Sequence, residues 1–134
     1  MASGNLEFVR SLYADWERGD YSSAEWAAPD IEYVVADGPT PGRWTGLGGM
    51  ADGTREFLSA WENYRAEVEE YRELDDERVL IFLTYRGRGK LSGVELEQVG
   101  GKGAHVVHIR NGKVTRLVRY LIRDHALTDL GLSA

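Results

Sequence analysis

The stretch His105-Val106-Val107-His108-Ile109-Arg110-Asn111-Gly112-Lys113-Val114, continued by Thr115-Arg116-Leu117-Val118-Arg119-Tyr120-Leu121, decides the fold. An Asn-Gly pair between two runs rich in β-branched residues predicts a β-hairpin, because both turn positions then accept positive φ. Successive strand side chains point to opposite faces, so His105, Val107 and Ile109 share one face, across the turn, with Leu117, Arg119 and Leu121. Val106, Val118 and Tyr120 fall on the other face. A sheet that is apolar on both faces needs a cover on each. Helices of the same chain are expected over one, and a second subunit over the other.

Working outward, the 134 residues are 43% hydrophobic and 28% charged, which fits one globular domain over residues 1–134 with room for a core and a small cavity. Four Trp and seven Tyr supply large rigid surfaces. A net charge of -6 argues against a nucleic-acid partner, whose binding is built on clustered Lys and Arg. Arg86-Gly87-Arg88-Gly89-Lys90 is short and is expected to be a solvated turn. The chain has no Cys, which excludes disulfides, thiol catalysis and thiolate metal sites. No apolar run is long enough for a membrane span and no secretory leader is legible, so cytoplasm is the expected location.

Leu6, Val9, Tyr13 and Trp16 recur at helical spacing from about Asn5 to Arg18, with Gly19 as the stop. A short helical turn is expected from Ser22 to Ala27, ended by Pro29. Asp30 to Ala36 has strand content and is broken by Asp37-Gly38-Pro39-Thr40-Pro41-Gly42. Met50, Phe57, Leu58, Trp61 and Tyr64 again keep a helical period, predicting a helix from Gly48 to Tyr64. Gly53 inside it costs on the order of 1 kcal/mol against Ala, so something should pack closely there. Strands follow: Arg65 to Tyr71, Val79 to Tyr85, an alternating Gly93 to Val99, then the hairpin. Arg123 to Leu130 reads as one or two closing helical turns. The order predicts an α+β fold, with helices gathered on one face of a mainly antiparallel sheet.

Here the residues carry a resemblance. Glu7 to Asp20, Pro29-Asp30-Ile31-Glu32-Tyr33, Trp44-Thr45-Gly46, and Ala104-His105-Val106 through Gly112-Lys113-Val114 resemble the SnoaL-like branch of the nuclear transport factor 2-like superfamily, which includes ketosteroid isomerases. The resemblance runs from Leu6 to Leu132. It implies a cone-shaped α+β barrel, with a strongly curved sheet, N-terminal helices over its concave face and a pocket between them. It also implies a homodimer through the sheet's outer face.

Such a fold hosts many chemistries, so function has to come from the pocket's polar residues. By resemblance, the oxyanion-binding aspartate of ketosteroid isomerases falls on His105. Their oxyanion tyrosine falls on Leu12, one residue from Tyr13, and their base aspartate falls near Val35, two residues from Asp37. The catalytic aspartate of limonene-epoxide hydrolase-like enzymes falls on Arg119. These departures speak against steroid isomerisation and epoxide hydrolysis in their usual forms. SnoaL-type cyclases are implied to work in an apolar, cofactor-free cavity with one acid-base residue. His105 takes a comparable position, with Asp37 or Glu97 as the carboxylate to orient it.

The expected catalytic set is therefore His105, Arg119 and Asp37, sufficient for proton transfer beside a carbonyl with Arg119 stabilising oxyanion charge. Tyr13, Val35, Trp44, Phe57 and Trp61 are the expected lining for a small hydrophobic ligand. Each has a structural alternative: His105 as a half-buried strand histidine bonded to a backbone carbonyl, Arg119 paired with Glu95 or Glu97, the aromatics as core. His108 and His125 are read as surface. No metal is expected, because residues three apart on a strand, such as His105 and His108, face opposite ways. Two functions remain open at this point. One is a cofactor-independent isomerase, cyclase or dehydratase, and the other a non-catalytic ligand-binding or structural homodimer.

Overall fold

The computed structural model describes residues 2–17, 25–38, 41–90, 93–95 and 101–132. Along them run α1 (Ala2–Glu17), β1 (Ala27–Val35), β2 (Gly42–Thr45), α2 (Gly46–Ser59), β3 (Trp61–Glu73), β4 (Arg78–Gly89), β5 (Lys102–Arg110), β6 (Lys113–Tyr120) and α3 (Arg123–Leu130). The strands form an open mixed sheet in the order β2-β1-β6-β5-β4-β3, parallel only between β1 and β6. This is a cone-shaped α+β fold: the order of elements predicts its class, and the resemblance implies its cone shape.

The β5–β6 hairpin turns at Asn111 and Gly112, both at positive φ (53° and 73°). Its register sets His105 opposite Arg119 and Val107 opposite Leu117. A bulge follows: His108 pairs with Arg116 but Ile109 with Val114, leaving Thr115 as the extra residue. For that reason Val114 and Leu117, three apart, both reach the same core.

One core lies under α1 and α2, where Val9, Tyr13 and Phe57 meet Ile81, Leu83, Val107 and Leu117. Burying each aliphatic side chain of this size contributes about 1.5–3 kcal/mol. Gly53 of α2 has the close neighbours its cost calls for: a Cβ there would stand 2.6 Å from the Trp44 ring and 2.8 Å from the Tyr33 ring. The second core lies on the opposite face, where Leu80, Phe82, Ala104, Val106, Val118 and Tyr120 pack under Ala126 and Leu127 of α3. The face that the sequence assigns to a second subunit is thus covered within one chain. α3 is fixed there by Tyr120 Oη donating to Asp129 (2.8 Å), by Arg123 donating to the Leu83 carbonyl (3.0 Å), and by His125 beside Asp37 (2.7 Å).

Several boundaries differ from the sequence expectation. The helix expected to reach Tyr64 stops at Ser59, and Trp61 and Tyr64 belong to β3. Pairing takes over there: Lys90 N–H donates to the Ala60 carbonyl (3.0 Å) and Trp61 pairs with Gly89. A bulge between Glu62 and Arg65, with Asn63 at φ 54°, interrupts the ladder at Tyr64. Phe57 and Tyr64 still meet, ring centroids 5.3 Å apart, so the helical period was satisfied by a tertiary contact instead. Arg86 to Gly89 extends β4 rather than forming a turn, because β3 pairs with Arg86, Arg88 and Gly89. Ala27 opens β1 rather than ending a helix, and Pro29, which has no N–H to give, sits where the β1–β6 register shifts. Gly19, Ser22 to Ala24 and residues 96–99 lie outside the described residues. β2 is four residues long, too short to show a period in sequence.

Candidate functional site

Three side chains from three elements converge beneath α1. Leu6, Val9, Tyr13 and Trp16 follow the helical repeat, and this stripe brings Tyr13 onto the sheet. On the sheet, His105 and Arg119 are direct cross-strand neighbours. The Tyr13 hydroxyl lies 2.6 Å from His105 Nδ1. All three line one cavity of about 720 Å³, together with Trp16, Tyr64 and Leu83. Glu17, Arg65 and Glu67, all exposed, line the same cavity on its solvent side.

His105 is only 2% exposed, the one buried polar side chain among the described residues. Burial, and then the Arg119 charge, pushes its pKa well below the ordinary histidine value, so the ring is neutral at pH 7. Burial likewise pushes the Tyr13 phenol far up, so its proton stays on oxygen. That hydroxyl holds either neutral tautomer of His105, donating to a bare Nδ1 or accepting from Nδ1–H. In both cases His105 Nε2 has no partner among the described residues. Buried polar atoms are ordinarily paired, so an orphan at a cavity wall marks a place for a ligand atom.

Arg119 is half-buried and pairs with no carboxylate among the described residues. Its Nη1 donates to Tyr64 Oη (3.2 Å), its guanidinium lies over the Phe57 ring at 4.5 Å and 6.0 Å from the Tyr33 ring centre, and its Nε is unpartnered. Burial opposes its charge, but the surrounding tyrosines Tyr33, Tyr64, Tyr85 and Tyr13 outweigh that, and it remains a cation. Glu95 is bonded to Arg88 (3.2 Å), and Glu97 lies outside the described residues.

The other expected site residues take different places. Asp37 accepts from the backbone N–H of Leu121 (2.6 Å) and of Ile122 (3.2 Å) and faces His125, so its carboxylate is occupied at the end of β6 rather than at His105. Phe57 supports Arg119 from beneath. Val35 is 2% exposed in the core. Trp44 stacks near Tyr33 (5.8 Å) and over Gly53, and Trp61 is half-buried with its indole N–H unpartnered. None of these last three lines the cavity that holds His105. Tyr64, which holds Arg119, escapes a sequence reading because the bulge that places it is not a periodic signal. Trp16 reads in sequence as core.

The chain's fold is shared widely. TerC, co-crystallised with polyporic acid, superposes with a TM-score of 0.69 at 23% identity, over 94% of this chain and 95% of that one. An NTF2-like protein of unknown function from Burkholderia pseudomallei gives 0.70 at 21% identity, over 92% and 95%. A candidate polyketide cyclase from Sinorhizobium meliloti gives 0.64 at 20% identity, over 89% and 98%. At such identities the likeness is one of fold. No curated protein sequence matches. The SnoaL-like domain family model, however, matches residues 9–117, and the chain belongs to that family.

Proposed function

We propose that this protein binds an apolar small molecule carrying a carbonyl group between α1 and the sheet, and moves a proton beside that carbonyl by acid-base chemistry. An isomerase, cyclase or dehydratase that needs no cofactor would do so. The observation that carries the reading is the convergence of Tyr13, His105 and Arg119 on one cavity. In this account His105 Nε2 takes a proton from the carbon next to the carbonyl, while its Nδ1–H donates to Tyr13. The electron pair moves onto the carbonyl oxygen, whose charge Arg119 stabilises. The imidazolium then returns the proton to another carbon, or to oxygen after ring closure. Asp37 acts on this site through the backbone, by fixing the strand end two residues beyond Arg119. That TerC, co-crystallised with polyporic acid, and a candidate polyketide cyclase share this fold supports a small-molecule ligand.

A second reading has its own support: among the described residues no carboxylate bonds His105, and burial keeps it a weak base. A binding protein without turnover needs nothing more. Screening small hydrophobic carbonyl compounds against wild type and His105→Ala decides between them. Binding with turnover lost in the variant supports the enzyme, whereas binding and turnover equal in both proteins remove the histidine from the mechanism.

Homodimerisation belongs to the same proposal. Ile122 and Leu132, 45% and 38% exposed and flanking α3 in sequence, are apolar side chains open to a partner. Sedimentation at roughly twice 15.0 kDa supports it, and a monomer at micromolar concentration contradicts it.

A further inference from the structure

The charge of the ligand can be read from the cavity. The lining contains Arg119, a cation set back behind the exposed rim residues, with an unpartnered Nε and no carboxylate counter-ion among the described residues. Holding a half-buried guanidinium against aromatic rings and one tyrosine hydroxyl offsets only part of its lost hydration. Structural arginines in such places are ordinarily matched by an acid, and this chain has acids to spare, with 22 Asp and Glu against 16 Lys and Arg. Yet Glu32, Glu69, Glu77 and Glu95 pair with other arginines, and Asp37 turns to the backbone. The position opposite Arg119 is the neutral His105. The two carboxylates of the lining, Glu17 and Glu67, are exposed and screened by water, and Glu17 accepts from Val68 N–H.

We propose that the ligand itself is an acid: an aromatic or polycyclic compound bearing one carboxylate or acidic enol, whose anionic oxygens dock on the guanidinium of Arg119 while its ring lies among Tyr13, Trp16 and Leu83. This rests on the ligand-binding reading above and narrows it. The planar fork of an arginine suits a two-oxygen anion, and the Phe57 and Tyr33 rings lie against the guanidinium, 4.5 Å and 6.0 Å away. The cavity of about 720 Å³ holds a molecule of two or three fused rings.

The experiment measures equilibrium binding of 2-naphthoate and of its uncharged counterpart methyl 2-naphthoate, by calorimetry at neutral pH, to wild type and to Arg119→Gln. The expected result is that wild type prefers the acid by about tenfold or more, and that Arg119→Gln loses this preference. Equal affinity of wild type for acid and ester, or a preference that survives in Arg119→Gln, overturns the proposal but leaves the cavity as a ligand site. Binding of neither compound to wild type overturns both this proposal and the reading on which it rests. The comparison on wild type needs no variant, so it stands even where Arg119→Gln does not fold, and Arg119→Lys then tests the fork: charge retained, preference reduced.

Discussion

The Tyr13 hydroxyl and His105 Nδ1 stand 2.6 Å apart, closing the first helix onto a strand 92 residues later. The bond is buried, and among the described residues it is the one hydrogen bond that orients the His105 ring. Tyr13→Phe leaves Nδ1 without a partner and is expected to lower stability by about 1–2 kcal/mol in urea denaturation. On any compound the protein turns over, kcat should fall by about ten- to a hundredfold with KM little changed, since the ring loses orientation and not lining. An unchanged kcat would mean that the hydroxyl is structural only.

Acid should destabilise the protein through His105. Its folded-state pKa is held well below the ordinary value by burial, with Arg119 second. Below about pH 6.5 the unfolded chain therefore binds a proton that the folded chain does not, and stability rises with pH in that window. The contribution is fully present above the unfolded pKa and is lost as pH falls towards the folded one. His108, half-buried and depressed by burial and then by Arg116, acts in the same direction. Thermal melts between about pH 5 and 7 should show Tm falling on acidification, with a shallower slope for His105→Gln. Parallel slopes would place the titration elsewhere.

Asp37 is assigned to the scaffold. Asp37→Ala removes the acceptor for two backbone N–H groups and the partner of His125. A loss of about 1–3 kcal/mol is expected, with hydrogen exchange quickening in α3, which covers Val106, Val118 and Tyr120. Ligand affinity in the folded variant should hold. A variant of normal stability that binds but fails to turn over would move Asp37 into the chemistry.

Gly53→Ala should be destabilising although alanine is the better helix former. The new Cβ would meet the Trp44 ring at 2.6 Å and the Tyr33 ring at 2.8 Å, so one ring must shift. Overpacking of this kind costs about 1–3 kcal/mol, more than the roughly 1 kcal/mol gained in propensity. Denaturation of the variant settles the sign.

The hairpin was legible because strand parity is a local rule: residues 105, 107 and 109 must share a face; the Asn-Gly turn alone would set 105 against 118, and it is the extra residue at Thr115 that sets it against 119. The stripe that carries Tyr13 was legible for the same reason at a period of 3.6. What was not legible is non-local. Phe57, Trp61 and Tyr64 satisfy a helical spacing, yet a bulge at Asn63 puts the last two on a strand. The partners of Asp37 lie 84 and 85 residues away, and nothing near it in sequence names them. The cover of the outer face is eight residues with two buried apolar side chains, Ala126 and Leu127, too few to declare themselves as a core helix.

The central claim is that His105 moves a proton beside a carbonyl bound in the cavity of Tyr13 and Arg119. Deuterium exchange at the carbon next to the carbonyl of 2-tetralone, followed by nuclear magnetic resonance in heavy water, tests it most directly. Wild type should speed exchange above the buffer rate, and His105→Gln should lose about a hundredfold of that rate while still binding the ketone. Exchange at the same rate with wild type and His105→Gln, or no acceleration by a wild type that binds the ketone, would contradict it.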